Sequence, residues 1–167
     1  MRVTGPGIER SIDANYIFDL ETAGILHYPL HLGYSFRVTD LIAHEIKTIP
    51  HTRLRLSGVQ IVELEPEQVL ALYDLRQLHI RLSYMDLSAF VLARDSGAVL
   101  ITGDGLLRSL AKAHGVECHG TLWILDALVD AGILNPRDTA DALRTMRRNN
   151  RWLPKQECDR RLKIWDP

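Results

Sequence analysis

Along this chain short apolar runs alternate with longer stretches whose apolar residues recur three and four positions apart, the two periods of strand and helix. "GIERSI" (7–12), "SFRV" (35–38), "VQIVEL" (59–64), "AVLIT" (98–102) and "VECH" (116–119) read as strands. "NYIFDLETAG" (15–24), "TDLIAHEIKTI" (39–49), "PEQVLALYDLRQLH" (66–79), "SYMDLSAFVLARDSG" (83–97), "GLLRSLAKAHG" (105–115) and "TLWILDALVDAG" (121–132) read as helices. Pro66 stands where a first helical turn accepts it, and Gly97 and Gly115 close two of these segments. Strand alternating with helix predicts an α/β fold, a parallel sheet covered on both faces. Beyond "LNPRD" the pattern is purely helical, over 136–150 and roughly 154–165. The expected organisation is a domain over residues 1–135 with a helical extension, 136–167, packed on it or appended to it.

Size adds that the chain can bury one sizeable core: 167 residues, 46% of them hydrophobic and 25% charged, predict a single domain. There is no apolar run of membrane-spanning length, and "MRVTGPGIERSID" lacks the apolar centre of a secretory signal, so a cytoplasmic protein without membrane contact is expected. Cys118 and Cys158 lie far apart with no paired spacing, which argues against a zinc knuckle or a disulfide framework and predicts two reduced thiols. "GPG" at 5–7 is a turn and not a phosphate loop, because neither the G-x-G-x-x-G nor the Walker spacing occurs.

The net charge of −1 hides a segregation. Residues 144–163 carry eight Lys and Arg against Glu157 and Asp159, whereas residues 1–143 carry 12 basic and 18 acidic side chains. A basic tail beside an acidic body fits either nucleic acid, with Arg144, Arg147, Arg148 and Arg151 as RNA contacts, or a helix whose charges face water. Trp152 and Trp165 in that tail suit either base stacking or docking onto the body, while Trp123, inside an apolar helix, reads as core.

In a parallel α/β sheet ligands collect outside the carboxyl ends of the strands. Asp13 follows the first predicted strand, Asp104 the fourth, and Asp86 opens the helix leading into the fourth. Each also suits helix capping, Ser83 with Asp86 matching the S-x-x-D box. Glu45 shares a helical stripe with Leu41, Ile42 and Ile49 on the predicted 39–49 helix, where a carboxylate is costly unless paired or bound to metal. Several acids aimed at one crevice without interleaved cations repel one another, and a divalent ion resolves the conflict. Oxygen-only donors select Mg2+ or Mn2+ over zinc.

These residues carry a family resemblance. Asp13 with Asn15 in "SIDANYIFDLETAGIL", Glu45 in "VTDLIAHEI", Asp86 in "MDLSAFVLARDSGAVLITGDG", Asp104 in its T-G-D and the following "GTLWILDALVDAGIL" resemble the ordered acidic signature of PIN-domain nucleases, particularly the VapC-type toxin ribonucleases. The likeness covers about residues 8–135, and Leu106 stands where many relatives carry another acid. It implies a three-layer α/β/α sandwich and hydrolysis of RNA by one or two Mg2+ or Mn2+ ions on Asp13, Glu45, Asp86 and Asp104. Asn15 and Thr102 would orient those ligands by hydrogen bonds, and Arg108, one turn after Asp104, would meet a phosphate. A homodimer restrained by an antitoxin protein is the assembly such relatives suggest. Two other readings stay open: a PIN-like module that binds RNA or protein without cutting, and an aspartyl-phosphate phosphatase, which expects D-x-D where this chain has "DAN".

Overall fold

The computed structural model describes residues 8–167; "GPG" and the first residue of the predicted first strand fall outside that range. Strands β1 (Glu9–Ile12), β2 (Ser35–Thr39), β3 (Val59–Val62), β4 (Val99–Ile101) and β5 (Cys118–His119) form one parallel sheet in the order β3-β2-β1-β4-β5. The chain builds outward from β1 to β3 and then returns to the other side, so β1 and β4 flank the point where the strand order reverses. Ile12 pairs with Ile101 across that point, and the residues following each strand emerge side by side.

The helices are α1 (Ala14–Thr22), α2 (Asp40–Glu45), α3 (His51–Leu56), α4 (Pro66–Leu78), α5 (Tyr84–Ser96), α6 (Gly105–Ala113), α7 (Thr121–Asp130), α8 (Pro136–Arg148) and α9 (Lys155–Trp165), with a short 3-10 helix at Tyr28–Leu32. They complete the α/β/α sandwich expected of a PIN-like fold. Helix α5 lies against β1, β2 and β4 and buries every residue from Leu87 to Ala93, as a central helix covered on all sides must. Two polar contacts set its height. The Ser11 hydroxyl donates to the Ala89 carbonyl at 2.8 Å, and the Thr39 and Ser88 hydroxyls share a 2.7 Å bond. Gly97, at φ 69°, supplies the left-handed turn that ends α5 and starts β4.

The predicted helix over 39–49 divides. Helix α2 stops at Glu45, Ile46 leaves the helical region at ψ 89°, and α3 restarts behind Pro50. Pro50 disfavours helical geometry at Ile49 and so keeps α2 and α3 from joining, whereas the stop at Glu45, four residues earlier, has no mark in the sequence. The His51 ring closes the gap by bonding the Ala43 carbonyl at 2.9 Å. Helix α3 escapes sequence reading because only Leu54 of its six residues is buried.

A single hydrophobic cluster runs through the molecule and takes in Ala140, Leu143 and Met146 of α8 with Cys158 and Trp165 of α9. Both cysteines are free thiols. Among the described residues no helix is long and apolar enough to cross a membrane.

Candidate active site

Asp13 is the first residue beyond β1, and its amide donates to the Ile101 carbonyl of β4, which fixes it at the reversal point. It is 2% exposed. One carboxylate oxygen caps α1 by accepting from the Tyr16 amide at 2.7 Å, and the other accepts a short hydrogen bond from the Thr102 hydroxyl. Burial pushes its pKa up to about 6; the bonds from Thr102 and Tyr16 pull it down, and the charges of Asp19 and Asp86 push it up again.

Thr102 leaves β4 one strand away and serves two acids at once, its hydroxyl oxygen also accepting the Asp104 amide at 3.1 Å. Asp104 caps α6 through one oxygen, 2.8 Å from the Leu107 amide, and Asp86 closes the capping box of α5 on Ser83 through one oxygen. All three aspartates therefore do cap helices. Among the described residues the second oxygens of Asp86 and Asp104 make no hydrogen bond, so capping occupies half of each carboxylate and leaves the other half available. The choice between cap and ligand posed by the sequence is not exclusive.

Glu45 is different. As the last residue of a short α2 it is exposed, and it makes no ion pair or hydrogen bond among the described residues. Leu41, its supposed partner on an apolar stripe, is 36% exposed, while Ile46 and Ile49 reach the core from the segment after the helix. The burial argument for Glu45 fails because the helix it assumed is six residues long. Among the described residues, moreover, no three His, Cys, Asp or Glu side chains come together as a group able to hold a metal ion, so the close convergence expected of four carboxylates is not seen.

A cavity of about 640 Å³ opens beside Asp104 at the carboxyl ends of β4 and β5. Asn15, Asp19, Asp104 and Arg108 line it from the body; Arg151 and Trp152 line it from the segment between α8 and α9. Arg108 is exposed and makes no ion pair among the described residues. Asn15, expected to orient a ligand, instead accepts from Arg151 through its backbone and side-chain oxygens, at 3.4 and 3.1 Å.

Sequence reading missed Asp19. It is 5% exposed, six residues along α1 from Asp13, and is held by the Thr121 hydroxyl at 2.7 Å and the Arg151 Nε at 2.6 Å. Burial raises its pKa, and the bonds from Arg151 and Thr121 oppose the rise. The available signal was Asn15 and Asp19 four apart on one helical face, but its cation lies 132 residues away and no local pattern links them.

The basic tail also reads differently once folded. Arg144 pairs with Asp141 and Asp166, Arg147 and Lys155 with Asp159, Arg160 with Glu157, and Arg161 with Asp126 and Glu157. Arg148 is exposed and donates to the Thr145 hydroxyl.

A five-stranded parallel sheet covered by helices, with Asp13 at its reversal point, is an α/β/α sandwich of the PIN type. The chain belongs to the PIN-domain family: residues 11–167 match the family model DUF3368, described as a PIN domain, and the match runs through α8 and α9 beyond the segment that carries the sequence resemblance. No curated protein and no solved structure matches the chain.

Proposed function

We propose that this chain is a divalent-metal-dependent endoribonuclease, the toxin of a toxin–antitoxin pair, acting in the cytoplasm as a homodimer restrained by an antitoxin protein. The observation that carries the nuclease reading is Asp13: a buried carboxylate at the β1–β4 reversal point, in the fields of Asp19 and Asp86, joined through Thr102 to Asp104 at the edge of an open cavity. The toxin and antitoxin roles rest on the resemblance to VapC-type relatives.

The donor chemistry fits Mg2+ or Mn2+. The oxygens are carboxylate throughout, and their mutual repulsion is what a hard cation relieves. Asp13, Glu45, Asp86 and Asp104 would hold the ion, the three aspartates each while capping its helix, although among the described residues no three of the four group as closely as a bound ion requires. The chemistry that a bound ion supplies is polarisation of the scissile phosphate and acidification of an attacking water. Thr102 orients the two acids that follow the central strands. Arg108 lies one turn beyond Asp104, where its guanidinium meets a phosphate of the substrate.

A cleavage time course tests this. Wild type and Asp104→Asn, purified identically, are incubated with single-stranded RNA and Mn2+ or Mg2+, then with chelator. Asparagine caps a helix about as well as aspartate, so the variant stays folded while losing the charge a hard cation needs. Wild type should cleave and stop with chelator, and the variant should be inactive. Equal cleavage by both refutes the role of Asp104. The second reading, a PIN-like module that binds without cutting, draws support from the absence of a three-acid cluster among the described residues and from Leu106, exposed on α6 where many relatives carry an acid. Cleavage by neither protein selects it. The family assignment leaves no place for the aspartyl-phosphate phosphatase.

A further inference from the structure

We propose that Trp152 is a stacking platform for a base of single-stranded RNA at the mouth of the cavity, held in position by Arg151; this inference rests on the nuclease reading for its choice of ligand.

The three tryptophans meet three fates. Trp165 is 8% exposed and belongs to the core, so it is the residue that docks the tail. Trp123 is half-buried, with its ring stacked against His119 at 4.3 Å and Tyr34 at 6.2 Å. Trp152 is 96% exposed. Indole gains more from burial than almost any other side chain, so the exposure calls for an explanation, and mobility of the segment does not supply one.

The backbone on both sides is held. Arg151 donates from its amide to the Met146 carbonyl at 3.1 Å, and its guanidinium bonds Asp19 and Asn15. Leu153 packs against the core, and Pro154 caps α9. Asn150 takes a left-handed φ of 58°, the one such non-glycine residue among those described. A clamp on Trp152's preceding residue and a packed side chain on the following one keep the indole in water by construction.

Its position gives that construction a use. The cavity that Trp152 lines also holds Asp104, the proposed reacting edge, and Arg108, a cation with no ion pair among the described residues. A single strand crossing from one to the other sets a phosphate at Arg108 and an unstacked base at the indole. A duplex offers no free base face in its interior, so the platform selects single strands. Of the neighbouring tail cations Arg147, Arg151 and Lys155 are committed to internal pairs, so at the cavity mouth the tail's contribution to binding is the aromatic surface.

The test is binding of a fluorescein-labelled single-stranded RNA in chelator, where no cleavage interferes, by wild type, Trp152→Ala and Trp152→Phe. Because the side chain touches water on nearly all sides, both variants should melt with wild type. Trp152→Ala should weaken binding roughly 5- to 150-fold with the same slope of log affinity against log salt, since stacking involves no counterion release. Trp152→Phe should retain most of the affinity. RNA should quench tryptophan emission in wild type, and Trp152→Phe should remove most of that quench, the remainder coming from Trp123 in the same cavity wall. Unchanged affinity in Trp152→Ala, or no binding by wild type, overturns the platform. If wild type shows Trp152-dependent binding yet cleaves nothing with Mg2+ or Mn2+, the platform stands and the nuclease reading falls. Cleavage with no Trp152 dependence gives the converse.

Discussion

Replacing Asp13 with asparagine separates the cost of the site from its use. A carboxyl whose pKa is raised on folding is favoured in its protonated form. Its contribution to stability is therefore greatest below the unfolded value and is lost as pH rises through the folded value. For Asp13 that window runs from 3.8 to about 6. The difference is about 2 units, or about 3 kcal/mol against the native state at neutral pH, a large fraction of the roughly 5–15 kcal/mol that holds a domain together. Asparagine keeps the cap to the Tyr16 amide, and the Thr102 hydroxyl can turn to accept from the new amide. Metal-free Asp13→Asn should therefore be more stable than wild type by up to about 3 kcal/mol at about pH 7.5, which is roughly 2–4 °C in melting temperature for each kcal/mol, and nearly equal to it at about pH 4. Urea titrations of both proteins across that range, in chelator, read the difference directly. Glu45→Gln serves as the control, exposed and unpaired, and should shift stability by less than about 0.5 kcal/mol at every pH. A variant less stable than wild type at neutral pH, or an advantage that does not fade on acidification, refutes the view of Asp13 as a desolvated charge retained for function.

In wild type, Mg2+ or Mn2+ at a hundredfold excess over its dissociation constant should add about 2.7 kcal/mol of stability, and Asp13→Asn should lose most of that gain; thermal melts with and without metal measure both. Arg151→Ala leaves Asp19 buried without its cation and should cost roughly 3 kcal/mol, whereas the double variant with Asp19→Asn should recover much of the loss, a coupling that a double-mutant cycle reports. For RNA binding, Arg108→Ala should lower the magnitude of the salt slope by about 0.7, the increment for one phosphate contact on a single strand, while Arg147→Ala, already paired with Asp159, should leave the slope unchanged.

What the sequence displayed well was anything set by local period. Strands at 35–39 and 59–62 and the capping residues Asp13, Ser83 and Asp104 follow from alternation, turn chemistry and cap preference, each readable within a few positions. The α/β pattern put Asp13 and Asp104 at strand carboxyl ends, but the order that sets β1 beside β4, and so Asp13 beside Thr102, belongs to the fold and has no local mark. The burial of Glu45 was misread because α2 stops at Glu45 itself, while the apolar spacing carries a helical period on to Ile49. Asp19 and Arg151 were invisible for a different reason: their pairing is made by the fold, between helix α1 and a segment near the other end of the chain, and neither residue carries a local mark of it.

That pairing also changes what a segregated charge means. Read linearly, eight cations against two acids suit either a phosphate-binding arm or a solvated helix, but two of the tail's arginines reach acids of the body, Asp19 and Asp126, and most of the rest pair among its own helices and Asp166. Exposed pairs of this kind contribute little to stability singly, so α8 and α9 are held chiefly by Ala140, Leu143, Met146, Cys158 and Trp165 in the common core. The exception is Arg151, whose partner Asp19 is nearly sealed from water and whose guanidinium also spans to Asn15. Charge at that point fixes geometry: the tail enters the cavity wall at one defined place, beside the aspartate that closes "VLITGD". A tail held to the body there can shape which strand enters the cavity without supplying the bulk of the charge that attracts it. The salt slope of RNA binding should accordingly report Arg108 and few of the tail's cations, and a slope near that expected for six phosphate contacts, about −4, would show that the ion pairs open when RNA binds.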